Sequence, residues 1–228
     1  MKNKDIKFFL NFTLILFIAI TGCSGKSLKM DNDDGDGFRP LFNGKELAGW
    51  TGNLTGYVPE SGGRLVCYPE KGKGNLYTIR EFDNFHLHFE FKLTPGANNG
   101  LGIRTPLEGD AAYEGMEIQI LDNSDMQYKD LKPYQFHGSI YGVVPAKREF
   151  LKPVGEWNSE EVIADGPSIK VILNGTTIVD ANIDEASKNG TLDRQEHPGL
   201  KRSKGHIGFL GHGSKLEFRN IMIKELFK

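Results

Sequence analysis

Cysteine is nearly absent from this 228-residue chain, which has only Cys23 and Cys67. No CxxC pair, HExxH stretch, calcium-loop pattern, GxSxG elbow or phosphate loop occurs in it. The common metalloprotease, serine-hydrolase and nucleotide-binding signatures are therefore missing. No cluster of Lys and Arg stands out, and the formal net charge is −2, which argues against a nucleic-acid partner. Long amphipathic helices and apolar runs of twenty residues are missing too. The one extended apolar stretch, "FFLNFTLILFIAI", is too short to span a bilayer comfortably.

That stretch follows the basic "MKNKDIK" and ends in "ITGC", the layout of a secretory signal. Ile20-Thr21-Gly22-Cys23 resembles the bacterial lipobox, which implies cleavage before Cys23 and acylation of its thiol. The expected domain organisation is a signal peptide at 1–22, a lipidated Cys23 with a flexible tether at 23–37, and one folded domain at 38–228. The tether "SGKSLKMDNDDGDG" is too polar to bury a core of its own. Removing three Lys and one Asp with the signal moves the net charge to about −4. Localisation follows as a cell-envelope lipoprotein, periplasmic or attached to the outer membrane. With Cys23 lipidated, Cys67 in "RLVCYPE" has no partner, and the expectation is a buried thiol rather than a nucleophile.

What the chain has is glycine, 28 residues of it, between short apolar runs. "FHLHFEFKL" alternates strictly: Phe85, Leu87, Phe89, Phe91 and Leu93 on one face, His86, His88, Glu90 and Lys92 on the other. Asn174-Gly175 between two β-branched runs predicts a tight hairpin, because both residues accept positive φ. Leu216 and Phe218 are out of phase with Ile221 and Ile223, which predicts a bulge near Asn220. The polar segment from Asp184 reads as a loop with one helical turn. Many strands, frequent turns and little helix predict an all-β fold of two packed antiparallel sheets, with a barrel as the alternative.

Within that architecture "GMEIQILDN" is the informative strand. Met116, Ile118 and Ile120 suit the packed face and leave Glu117 and Gln119 side by side on the other. Asp122 closes the strand with its orientation open. A carboxyl and an amide in this arrangement suit acid–base work and hydroxyl binding; a solvated sheet face is the competing reading. Further polar candidates are Asn98, Asn99 and Arg104 in "NNGLGIR", His137 and Tyr141 in "FHGSIYG", Lys152 in "KPVGEWN", and His212 in "GHGS". Arg104 has the donor fork to grip sugar oxygens or to pair with Glu117. His137 has the side chain that titrates near neutrality.

Seven stretches in order, "PLFNGKELAGW", "NNGLGIR", "GMEIQILD", "GSIYGVVPA", "KPVGEWN", "ILNG" and "GFLGHGSKLEFRNIMIKEL", resemble the motif series of the bacterial 3-keto-disaccharide hydrolase family. That family is also named for 3-keto-glucoside 1,2-lyase and 3-keto-2-hydroxyglucal hydratase activity. The resemblance spans about 38–228 and implies a concanavalin A-like jelly roll whose concave sheet holds a sugar. It implies Glu117, Gln119 and Asp122 in the groove, with Arg104, Tyr141, Lys152 and His212 around it, and Asn99 as a further contact.

The activity implied is cleavage of a glycoside already oxidised at C3. A base removes the C2 proton, the C1 group leaves, and water adds to the glycal. Glu117 or His137 is the expected base, Asp122 the expected acid, and Arg104 or a divalent cation the expected holder of the oxyanion. Whether a metal is needed stays open, and no other cofactor is expected. A sugar 3-oxidoreductase is implied as a functional partner. The rivals are a non-catalytic carbohydrate-binding lipoprotein and a conventional glycoside hydrolase, which ordinarily needs two flanking carboxylates.

Overall fold

The structure, a computed structural model, describes residues 37–227. The signal peptide, Cys23 and nearly all of the tether lie outside the described residues. Thirteen strands follow one another: β1 Arg39–Pro40, β2 Trp50–Gly52, β3 Tyr57–Glu60, β4 Arg64–Cys67, β5 Leu76–Thr78, β6 Phe85–Leu93, β7 Asn98–Thr105, β8 Met116–Leu121, β9 Trp157–Asp165, β10 Ser168–Leu173, β11 Thr176–Asn182, β12 His206–Leu210 and β13 Leu216–Glu225. Short helices α1 (Ala111–Glu114) and α2 (Ile183–Ser187) interrupt them. Among the described residues no helix is long and apolar enough to cross a membrane.

The strands form two antiparallel sheets, packed as the jelly-roll sandwich the sequence led us to expect. The larger runs β11-β10-β9-β6-β13-β4-β3, with β1 beside β13; the smaller runs β2-β5-β12-β7-β8. Strand β6 sits in the middle of the large sheet with its five apolar residues buried, as the alternation requires. Phe89, Phe91, Phe209 and Phe218 meet between the sheets, the last two with ring centroids 4.0 Å apart. Each such ring removed from water contributes roughly 1.5–3 kcal/mol. Cys67 is buried in this core, and burial raises its pKa.

The hairpin forms where predicted, with Asn174 at φ 49° and Gly175 at φ 82°. The register of β13 against β6 slips between Arg219 and Met222, with Asn220 at φ 51°, so Leu216, Phe218, Ile221 and Ile223 all reach the core. The helical turn expected near Asp184 is α2, which contains it.

Strand β8 ends the small sheet, yet all six of its residues are buried. Two pieces of chain cover it. Helix α1, capped by Asp110 accepting from the Ala112 N–H, leans on the outer face. Segment 138–141 runs along the free edge as an irregular extra strand: the Gly138 N–H donates to Gln119 O, the Gln119 N–H to Ser139 O, and the Tyr141 N–H to Glu117 O. The sequence predicts Glu117 and Gln119 on an open face; the structure roofs that face and leaves a cleft.

Candidate active site

The cleft, about 330 Å³, has Glu117 and Gln119 on its floor. Asn98, Leu121, Tyr141 and His212 line it, joined by Asp110, Tyr113, Tyr128 and Gln135. Glu117 is 2% exposed. Its Oε1 has no hydrogen-bond partner and stands 3.5 Å from His212 Nε2. Burial, assisted by the nearby negative charge of Asp110, pushes the Glu117 pKa up to about 8. His212 reaches the mouth of the cleft, its side chain 37% exposed, yet desolvation by the walls still lowers its pKa, against an opposing pull from Asp110. At neutral pH both groups are therefore uncharged: a carboxylic acid beside a free imidazole.

The hydroxyl-binding groups are held by one another. Gln119 Nε2 donates to Asn98 Oδ1 at 2.8 Å, which leaves Gln119 Oε1 to accept from a ligand. Gln135 Nε2 donates to the Tyr141 hydroxyl at 3.2 Å, and Tyr134 packs edge-on against the Tyr141 ring.

Glu117, Gln119, Tyr141 and His212 are thus brought together, and five other candidates are not. Asn99 points inward and is wholly buried, because alternation along β7 gives the cleft to Asn98 instead. Arg104, at φ 51° in a β7 bulge, turns away from Glu117. Its guanidinium donates to Gly166 O at 2.8 Å and Asp83 O at 3.0 Å, tying two loops together, and burial lowers its pKa. Asp122 is a turn organiser: Oδ2 accepts from the Gly96 N–H, and Oδ1 from the N–H and hydroxyl of Ser124. Lys152 donates its ammonium to Trp157 O, in a separate 470 Å³ bowl that Asp122 also borders.

His137 is the largest departure. It lies between the sheets, its ring tilted against Phe91 with centroids 5.1 Å apart, with Nε2 3.0 Å from Glu160 Oε2. Both side chains are at most 1% exposed. Nδ1 accepts from the Leu121 N–H at 3.4 Å, which assigns the ring proton to Nε2, facing the carboxyl. An imidazole sealed in this way does not reach the cleft.

Asp110, Tyr113, Tyr128 and Gln135 escaped the sequence reading. Only Asp110 left a signal there, as an Asp directly before a short helix-forming run. Glu160 sits at an inward position of an alternating strand, where a lone buried carboxylate is rare enough to require a partner. Among the described residues no group of three or more His, Cys, Asp or Glu side chains is placed to hold a metal ion.

Fold and site define the class: a jelly-roll β-sandwich with a polar, partly roofed cleft on the outer face of its smaller sheet. Within that class the chain belongs to the 3-keto-alpha-glucoside-1,2-lyase-like domain family, whose model matches residues 37–224. It is 26% identical over 235 aligned positions to the 3-keto-disaccharide hydrolase of Bacteroides thetaiotaomicron, covering 85% of this chain and 80% of that protein. It is similar to the crystal structure of a Parabacteroides distasonis protein classed with the glycosyl hydrolases. There the TM-score is 0.72 and the identity 30%, over 83% of this chain and 99% of that one. A Bacillus subtilis protein of galectin-like fold, 13% identical with a TM-score of 0.54 over 82% of this chain and 94% of its own, is alike in fold alone.

Proposed function

We propose that this protein is an enzyme that cleaves 3-keto-glycosides by elimination across C1–C2, with His212 as base and Glu117 as acid. One observation carries the reading: the cleft pairs a carboxyl and an imidazole 3.5 Å apart, each shifted by burial toward its neutral form. The family and the named activity of the Bacteroides relative support the substrate class.

A C3 ketone acidifies the C2 hydrogen. Neutral His212 takes that proton, and the C2–H electron pair forms the C1=C2 bond as the C1–O bond breaks. The Glu117 carboxylic acid protonates the departing oxygen. The products are a free aglycone and a 2-hydroxy-3-keto-glycal, with Glu117 ionised and His212 protonated. For hydration the roles reverse: the Glu117 carboxylate takes a proton from water attacking C1, and protonated His212 returns one to C2. The net change is hydrolysis, and both groups are restored. Gln119 with Asn98, and Tyr141 with Gln135, would hold the sugar hydroxyls.

Asp110 favours one other reading, because it gives a conventional glycoside hydrolase a second carboxyl group in the cleft. A paired assay separates the two: release of aglycone from a 3-keto-glucoside and not from its parent glucoside supports elimination. Release from the parent glucoside at equal or greater rate rejects it. Sugar binding without release from either compound makes the protein a lectin.

The same proposal includes a lipid anchor on Cys23, a place in the cell envelope, and a sugar 3-oxidoreductase that supplies the ketone. These rest on the sequence of residues 1–23 and on the chemistry of the substrate. Transfer of the protein from the membrane to the soluble fraction on Cys23→Ala tests the anchor.

A further inference from the structure

Removing the C2 hydrogen leaves negative charge that the C3 carbonyl oxygen shares as the double bond forms, so the site needs a donor aimed at that oxygen. Arg104, the cation expected there, is tied to Asp83 and Gly166 instead. Neither Lys nor Arg lines the cleft, which leaves its neutral donors. With Glu117 given to the C1 oxygen, phenols are the most acidic of these.

Three tyrosines line the cleft, and their protons are not equally free. Tyr128 donates its own to Gly96 O at 2.9 Å. Tyr141 has the reverse arrangement. The Lys132 N–H donates to Gln135 Oε1 at 3.0 Å, which turns the Gln135 amide nitrogen toward the Tyr141 hydroxyl. The Tyr141 oxygen therefore accepts, and among the described residues its proton has no acceptor. A hydroxyl that accepts one hydrogen bond donates the next more strongly.

Its backbone is fixed from both sides. The Tyr141 N–H donates to Glu117 O at 2.9 Å, so the two residues stand on neighbouring strands. The next residue, Gly142 at φ 75°, accepts at its carbonyl from the N–H groups of Leu192 and Asp193. Behind it the buried Asp193–His197 pair, 2.9 Å apart, occupies the space where a side chain at 142 would stand. A donor held in this way has no reorganisation to undergo as charge develops.

We propose that Tyr141 is a catalytic residue, donating its phenolic hydrogen bond to the C3 oxygen as the C2 proton leaves. The assignment rests on the elimination reading above, and makes the ketone, rather than a hydroxyl, the sugar oxygen that Tyr141 holds. The phenol keeps its proton throughout; His212 alone takes the one from C2.

The test uses the full chain and 1,5-anhydro-3-keto-glucitol, which has the ketone and the C2 hydrogen but no group to leave from C1. Exchange of that hydrogen in D₂O then reports proton removal alone. Tyr141→Phe should slow exchange at saturation, and aglycone release from a 3-keto-glucoside, by about 10²-fold, the weight of one oxyanion donor. The parent glucoside should bind within about three-fold of its former affinity, the weight of one neutral hydrogen bond. Gln135→Glu sets an acceptor before the phenol and turns its proton away from the cleft, and should slow exchange equally. Exchange in Tyr141→Phe within a few-fold of the unaltered chain overturns the assignment. So does a loss matched by an equal fall in glucoside binding, the mark of a hydroxyl contact, or a loss carried by Tyr113→Phe instead. If the unaltered chain neither exchanges the C2 hydrogen nor releases aglycone, the elimination reading fails and the donor falls with it.

Discussion

The Glu117 side chain lies flat over Gly100 of the neighbouring strand, so close that a methyl group there would overlap its Oε1. The acid of the site is thus held in place by a missing side chain. Gly100→Ala must push Glu117 off its position beside His212, and kcat should fall by about 10²-fold while the chain still folds, as a small displacement of a catalytic group suffices for that loss. Circular dichroism alongside turnover checks it.

Glu117→Gln should lower turnover by about 10²- to 10⁴-fold, the usual weight of one acid–base group. Its stability should move the other way. The ordinary carboxyl pKa of 4.5 applies in the unfolded chain and about 8 in the folded one, so between these values the unfolded chain has released a proton that the folded chain keeps. The stability tied to the neutral form is complete below pH 4.5, falls as pH rises, and is lost above 8, at about 1.4 kcal/mol per unit. Gln does not titrate. Denaturation of both proteins at pH 5 and pH 8.5 should show the variant gaining on the parent at the higher pH.

The pH profile of kcat/KM should be bell-shaped. Its acid limb lies below pH 6.5, where His212 must lose its proton to act as base, and its alkaline limb lies near pH 8, where Glu117 loses the proton it donates. In Glu117→Gln the alkaline limb should vanish from the residual rate. A limb that stays in place would move the acid elsewhere.

The buried His137–Glu160 pair makes the opposite prediction to a catalytic base. Removing the carboxyl leaves the neutral imidazole N–H of His137 without a partner in the core at a cost of roughly 1–3 kcal/mol, so Glu160→Leu should lower Tm by about 5 °C. Turnover well below that Tm should keep both limbs of its pH profile, because neither titrating group has been touched.

Much of the fold was legible because it follows from local rules. The five apolar residues of Phe85–Leu93, the Asn174-Gly175 turn and the phase change at Asn220 each require one backbone solution. The floor of the cleft was legible as well, since Glu117 and Gln119 follow from alternation on β8. The rest depends on long-range geometry. A bulge turns Arg104 toward Asp83 and Gly166, and the parity of β7 selects Asn98 over its neighbour. His137 looks like any loop histidine until Glu160, 23 residues further on, is placed opposite it by sheet packing. Asp110, Tyr113 and Gln135 belong to the roof, and no periodicity shows which loops will cover an edge strand.

Elimination is tested most directly by the fate of the hydrogen at C2. With a 3-keto-glucoside in D₂O, and a parallel sample of the 3-keto sugar alone to correct for spontaneous exchange, the sugar released by the enzyme should carry one deuterium at C2, or leave as the unsaturated glycal. Release of a 3-keto sugar that keeps its original C2 hydrogen, at a rate that does not slow when that hydrogen is replaced by deuterium in the substrate, would mean displacement at C1 instead, and would contradict the roles given to His212 and Glu117.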